Sequence, residues 1–458
     1  MTTSNNTIVA LATPQGVGAI GVIRLSGPIS ISITSSVFSK NLERANTHTA
    51  HFGRIMEGSR ILDEVLVTVF REGKSYTGEE VVEISCHGSQ YILQDVIRLL
   101  LERGAVMAKP GEFTLRAFLN GKLDLSQAEA VADLISSNSE AAHKVAMHQM
   151  RGGFSSQIKK LRADLIHFAS LVELELDFSE EDVEFANRDD LKNLIWQIHL
   201  VIQTLVESFK SGNVIKNGVP VVIAGKPNAG KSTLLNALLN EERALVTEIE
   251  GTTRDTIEDE VVLGGVSFRF IDTAGIRETT DLVESLGVKK TLEKMQEAAI
   301  VCYLFDGAKI ELDELALIVN GLQKDVEQSG SQLMLVANKS DLITDERKQT
   351  LTELYKPLFI SAKQKFQINA LESKLLELVN LGKVGEQEVV VTNNRHFQAL
   401  TGANEALMRA YTGLDNSLTG DLLASDIRQS LFHLGEITGE VTTDDLLDNI
   451  FSKFCIGK

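Results

Sequence analysis

Residues 219–232, VPVVIAGKPNAGKS, constrain this chain more than any other stretch. An apolar run of strand length meets a glycine-rich turn that closes on Lys231 and Ser232. Gly225 to Ser232 fits G-x-x-x-x-G-K-[ST], and a strand leading straight into it is the context that gives the pattern meaning. The glycines let the backbone curl round a phosphate so that several N–H groups point at it. The helix that follows presents its positive end. Such a junction commits the region to a strand–loop–helix unit and therefore to an α/β layer.

The surrounding residues agree. Between 218 and 382, strand runs alternate with helical stretches: VPVVIAG, VSFRFIDTAG, AIVCYLFDG, QLMLVANKSD and PLFISAK. This predicts a mostly parallel sheet with helices on both faces. VVLGGVSF adds a tight hairpin at Gly264–Gly265 and an antiparallel edge. Residues 1–120 read as short β-branched runs (TIVALATP, AIGVIRLSG, EVLVTVF, EEVVEISCHG) with one helical pattern, QYILQDVIRLLLERGA, which makes an α+β domain. Residues 121–217 turn helical. Leu191, Leu194, Ile195, Ile198, Val201, Ile202, Leu205, Val206 and Phe209 form one stripe, and the acidic DFSEEDVEF before it reads as a solvated loop. Helical pattern resumes over 383–458, so the α/β unit is expected to interrupt an all-α helical domain. At 458 residues the chain is long enough for these several domains.

Composition narrows the classes. With 45 basic and 63 acidic residues the net charge is −18, which argues against non-specific nucleic-acid binding. An RNA partner would need a local basic patch or a basic companion. Apolar runs fall short of the roughly 18 residues of a membrane span, so no membrane association is expected. The first residues lack a basic, apolar leader pattern, and three widely spaced cysteines argue against a disulfide framework, which together predict a cytoplasmic protein.

Further motifs stand at the other strand ends. DTAG supplies Asp272 for the shell of a Mg²⁺ ion and the Gly275 N–H for a γ-phosphate, while Ser232 would ligate the ion directly. In NKSD, the Asp341 carboxylate can accept two hydrogen bonds from guanine and Asn338 can bond N7, so GTP is expected over ATP. SAK, Ser361 to Lys363, reads as the loop that closes over the base. Where Ras-type GTPases place a water-orienting glutamine after the DTAG glycine, this chain has Ile276, whose side chain cannot hydrogen-bond. Either hydrolysis is poor, or its chemistry comes from elsewhere.

GKPNAGKST, GTTRD and DTAG resemble the translation-factor-related GTPases, in which an apolar residue replaces that glutamine. With the inserted architecture and the terminal FCIGK, the whole chain resembles the MnmE (TrmE) family of bacterial tRNA-modification GTPases. The resemblance implies a Ras-like P-loop G domain whose nucleotide is held by Asn228, Ala229, Gly230, Lys231, Ser232 and Thr233. It extends that set over Thr247, Glu248, Ile249, Glu250, Gly251, Thr252 and Thr253, over Asp272, Thr273, Ala274 and Gly275, and over Asn338, Lys339, Asp341, Ser361, Ala362 and Lys363. It further implies a potassium ion caged by Asn228, Thr247, Ile249 and Thr252, with Thr253 left for Mg²⁺. Such a cation would neutralise developing charge, as an arginine finger does. The family's water-positioning glutamate falls on Glu284 in DLVESLG; read without the resemblance, Glu284 caps or decorates the next helix. Arg254, Asp255 and Arg277 are read as supports of loop order or dimer contacts.

The first domain resembles the folate-binding domains of one-carbon enzymes such as the glycine-cleavage T-protein. The family's ligands for 5-formyltetrahydrofolate or methylenetetrahydrofolate fall on Arg24 in GVIRLSG, Glu83 in VEISCHG, Lys122 in NGKLDL and the terminal Lys458. Taken singly, each reads as a surface charge. Cys455 is expected to be a small buried side chain anchoring the tail, with a reactive thiol as the alternative, and His87 beside Cys86 is expected to serve packing. The resemblance implies a homodimer and a heterotetramer with an FAD-dependent protein similar to MnmG (GidA). Together they would add an aminomethyl or carboxymethylaminomethyl group at C5 of the wobble uridine, U34, of certain tRNAs. The competing expectation is an Era- or Der-like regulator of ribosome assembly, but neither a KH-type domain nor a second G domain follows residue 382.

Overall fold

The computed structural model describes residues 6–177, 188–239, 258–272, 298–379, 389–416 and 420–457. They fall into two compact units, one of Met1–Ala132, His148–His199 and Ala399–Lys458, the other of Asp133–Met147 and Leu200–Gln398.

The first unit is built on six strands: β1 (Ile8–Leu11), β2 (Ile20–Ser26), β3 (Thr49–Glu57), β4 (Arg60–Phe70), β5 (Val81–His87) and β6 (Val106–Met107). Their order is β3-β4-β5-β2-β1-β6, antiparallel except for β1 with β6. Alternation assigns the two faces. Ile23, Leu25, Val67, Val69, Val82 and Ile84 turn inward onto α1 (Ser30–Val37) and α2 (Gln90–Glu102), where Ile33, Val37, Leu93 and Val96 complete the core. The opposite face receives Arg24 and Glu83, which are direct cross-strand partners.

Two helices and two strands here exceed the sequence expectation of one helix and four strand runs. In α1, SISITSSV, serine and β-branched residues give low helix propensity. Burial decides in favour of helix: Ile33 and Val37 share one face, and the Ser30 hydroxyl satisfies the carbonyls of Gly27 and Glu80. α3 (Glu112–Leu119), β3 and the two-residue β6 are the other additions.

Helices α4 (Leu125–Ser136), α5 (Glu140–Met150), α6 (Gly153–Asp177) and α7 (Arg188–Asn217) fill the region expected to be helical. In α7 the expected stripe is the buried one, with Leu191, Ile195, Ile198, Ile202 and Leu205 inward.

The second unit holds β7 (Val219–Ala224), α8 (Lys231–Leu239), β8 (Glu258–Leu263), β9 (Val266–Asp272), β10 (Ile300–Asp306), α9 (Leu312–Ser329), β11 (Gln332–Asn338), α10 (Asp345–Tyr355), β12 (Leu358–Phe359) and α11 (Ile368–Val379). The sheet order is β12-β11-β10-β7-β9-β8, parallel throughout apart from the β8–β9 hairpin at its edge. Separate apolar clusters cover its two faces, so the central strands are buried on both sides and read as continuous apolar runs. PLFISAK yields only the two-residue β12, because Ser361 already turns back to pair with Phe366.

After Gly382 the chain forms α12 (Asn394–Asp415), α13 (Gly420–Thr438) and α14 (Asp444–Phe451). Thr443 caps α14 by accepting the Leu446 N–H, and Leu447 and Phe451 pack on Leu125 and Ala128.

Candidate functional site

Every strand of a parallel array ends on the same side, and the motif loops of the second unit gather at that side. The phosphate loop leaves β7 and enters α8. Asn228 sits exposed in it at φ 64°, a left-handed conformation, and Lys231 opens the helix. The Lys231 Nζ donates to the loop's own carbonyls, Gly225 O at 2.5 Å and Lys226 O at 3.4 Å. Ser232 and Thr233 are exposed in the first turn of α8, where the helix end favours an anion.

Asn338 ties three loops together. Only 3% exposed, it donates from Nδ2 to Ala229 O at 2.8 Å and accepts the Ala362 N–H on Oδ1 at 3.0 Å. One Nδ2 hydrogen remains for a ligand. The link also explains Gly230: a Cβ there would stand 2.3 Å from the Asn338 Nδ2. The chain turns at Lys339, φ 59°, and Asp341 emerges exposed in the short turn Ser340–Leu342. The Ser361 hydroxyl is buried with no hydrogen-bond partner among the described residues, while Ala362 is buried and Lys363 exposed. Asp272 closes β9 beside Ile223 of β7. The Asp272 side chain lies outside the described residues. So do Thr247, Glu248, Ile249, Glu250, Gly251, Thr252, Thr253, Thr273, Ala274, Gly275 and Glu284.

Sequence reasoning missed Asp306, which ends β10 in LFDG and receives the Lys339 ammonium at 2.7 Å. An acid at a strand end beside the phosphate loop was the available signal.

A second polar cluster lies in the first unit. Arg24 donates from Nε to Glu83 Oε1 at 2.8 Å, with Nη2 also 2.8 Å from that oxygen. Its Nη1 donates to Gly457 O at 3.3 Å, and the guanidinium carbon stands 5.8 Å from the Phe113 ring centre. Arg24 and Glu83 keep 20% and 27% of their side-chain surface exposed, so both can reach a ligand. Nearby, the Tyr76 hydroxyl shares a hydrogen bond with Thr114 at 3.0 Å; burial raises the phenol pKa, and Thr114 and Arg24 oppose it. Lys122 is not joined directly to the Arg24–Glu83 pair: its Nζ donates to Gly73 O at 2.8 Å, on the loop that carries Tyr76. Lys458 lies outside the described residues.

The tail corrects one expectation. Cys455 is exposed, so its thiol does not anchor the chain end. The backbone does: Gly111 N donates to Cys455 O at 3.4 Å, and Gly457, at φ 96°, fits where a Cβ would meet Leu11 O at 2.3 Å. Cys86 is buried and its thiol is pushed up to about 11 by burial, while His87 bonds Asp63 at 2.7 Å. His87 therefore does not serve packing as expected: its side chain is 68% exposed and is held by Asp63, while the Cys86 thiol is buried on the other face of the strand.

A phosphate loop, an Asn-Lys-x-Asp reader and a Ser-Ala-Lys loop, joined through one buried asparagine on a mostly parallel sheet, define a P-loop GTPase-type unit. The family described as the MnmE helical domain matches residues 125–455, and the one described as the GTP-binding protein TrmE N-terminus matches residues 7–122. A tRNA modification GTPase MnmE from Cytophaga hutchinsonii is 59% identical over 459 residues, covering 100% of this chain and 99% of that protein. Its counterparts from Christiangramia forsetii and Bacteroides fragilis are 55% and 52% identical, each covering 99% of this chain and 99% and 100% of their own. The chain belongs to the MnmE family.

Proposed function

We propose that this protein is a GTPase that acts in tRNA modification, coupling GTP hydrolysis to a one-carbon transfer at C5 of the wobble uridine. The observation that carries the reading is the full-length match to proteins named tRNA modification GTPases, on a chain whose phosphate loop, base reader and SAK loop are joined through Asn338. Phosphates are held by the loop 228–233, with Lys231 moving from its own carbonyls onto the β- and γ-phosphates. Asp341 and the remaining Asn338 hydrogen read guanine, and the SAK loop closes over it. Adenine offers no donor pair to Asp341.

The reading places both ions between the phosphate loop and residues 247–253. Ser232 is exposed where Mg²⁺ is needed, with Thr253 as its second protein ligand. Asn228, exposed and left-handed, presents an amide oxygen beside the phosphates, with Thr247, Ile249 and Thr252 completing a potassium cage. That cation supplies fixed positive charge against the leaving phosphate, and Glu284 orients the attacking water in place of the missing glutamine.

The first unit binds the tetrahydrofolate. Glu83 pairs with the pterin edge; Arg24, Lys122 and Lys458 answer the ligand's negative charge. The protein works as a homodimer with an FAD-dependent MnmG-like partner, on tRNA, in the cytoplasm. Among the described residues no helix is long and apolar enough to cross a membrane. The domain limits 1–120, 121–217, 218–382 and 383–458 belong to the same proposal.

Nucleoside analysis of bulk tRNA from cells lacking the protein tests this reading. Loss of the C5-substituted wobble uridine is expected; unchanged wobble uridines with a ribosome-assembly defect would replace it with the regulatory alternative.

A further inference from the structure

We propose that Asp306 is a positioning residue of the nucleotide site, holding the Lys339 ammonium and through it setting the base-reading loop. This rests on reading residues 338–341 as the guanine reader. Asp306 ends β10 directly beside Asn338 in the parallel register. Its two carboxylate oxygens are divided between two tasks: Oδ1 accepts the Ala308 N–H at 3.1 Å, and Oδ2 accepts Lys339 Nζ at 2.7 Å.

The turn that begins at Asp306 is held from both sides. Gly307 N donates to Asn338 O at 3.1 Å, and Ile310 N donates to Asp306 O at 3.0 Å. From α10, Arg347 donates through Nε to Gly307 O at 2.7 Å and through Nη2 to Ile310 O. The carboxylate is therefore a fixed point and Lys339 the adjustable end. Lys339 sits at φ 59°, a left-handed conformation that lysine rarely adopts, between inward Asn338 and outward Asp341. Its four-carbon stem has much rotamer freedom to lose. With Asp306 16% and Lys339 33% exposed, the pair is screened less than a surface pair and orders that stem before nucleotide arrives. Ordering in advance lowers the cost of binding without touching the phosphate chemistry, so affinity should carry the effect and turnover should not.

Asp306→Asn separates the two tasks, because the amide oxygen still accepts the Ala308 N–H while the charge facing Lys339 is gone. In the full-length protein, a fluorescent GDP analogue is expected to bind about tenfold more weakly, with KM for GTP raised and kcat kept within about twofold. Lys339→Met approaches the pair from the other side and should show a similar loss. The double variant should be no weaker than Lys339→Met alone, since residues acting through one contact are not additive. Parental GDP affinity in Asp306→Asn, or losses that add in the double variant, would overturn the inference. A parent protein that binds no GDP would overturn the nucleotide reading, and this inference with it.

Discussion

The nucleotide loops and the Arg24–Glu83 cluster are assembled by opposite routes. In the second unit a parallel sheet brings successive strand ends to one side, so each functional group arrives inside a short contiguous motif. In the first unit an antiparallel sheet pairs Arg24 with Glu83, 59 residues apart, and the tail carbonyl that joins them comes from 433 residues beyond Arg24. One site is written along the chain and the other across it. Substitutions should follow that difference: a change within a motif breaks the nucleotide site locally, whereas the Arg24–Glu83 cluster depends on strand register and on the seat of the tail.

The largest effect is expected from Gly230→Ala. A Cβ 2.3 Å from the Asn338 Nδ2 forces apart the phosphate loop and the base reader. A buried amide that loses its partners costs about 1–3 kcal/mol, and displacement of the phosphate loop adds to it, so nucleotide affinity should fall by about 100-fold or more. Titration with a fluorescent GDP analogue measures this; a loss below about tenfold would show that the Asn338 link is dispensable. A smaller effect sharpens the same side of the comparison. Potassium should accelerate GTP hydrolysis about tenfold or more over sodium, at matched ionic strength and saturating Mg²⁺, because in the proposed mechanism it stands in for an arginine finger. Equal rates in the two salts would remove Asn228 and Thr252 from the mechanism.

How far the molecule was legible follows the same division. The alternating runs of residues 218–382 became the six-stranded sheet and its hairpin edge, because apolar runs buried on both faces leave an unambiguous pattern. Asn338 was legible as a base reader, but its role in joining Ala229 to Ala362 was not, since that link depends on where three loops meet. Asp306 went unread for the same reason. In the first unit α1 escaped because its serines and β-branched residues point away from helix until tertiary burial overrides them. The Cys455 expectation failed because an apolar tail motif was taken to bury its thiol, whereas the backbone of Cys455 and Gly457 makes the contacts.

The central claim is that one chain carries two sites with separate tasks, and Arg24→Gln tests it most directly. The Arg24–Glu83 pair keeps 20% and 27% of its side-chain surface exposed and Arg24 also holds the Gly457 carbonyl, so thermal unfolding of the variant is recorded beside the assays to separate a lost contact from a lost fold. GTP hydrolysis and wobble-uridine modification are to be measured on the same preparation, with the tRNA and the flavoprotein partner supplied. The account predicts hydrolysis within about twofold of the parent, because no nucleotide motif includes Arg24, and modification reduced at least about tenfold, because a charge-assisted contact to the one-carbon donor is lost. Parental modification, or hydrolysis and modification falling together, would contradict it.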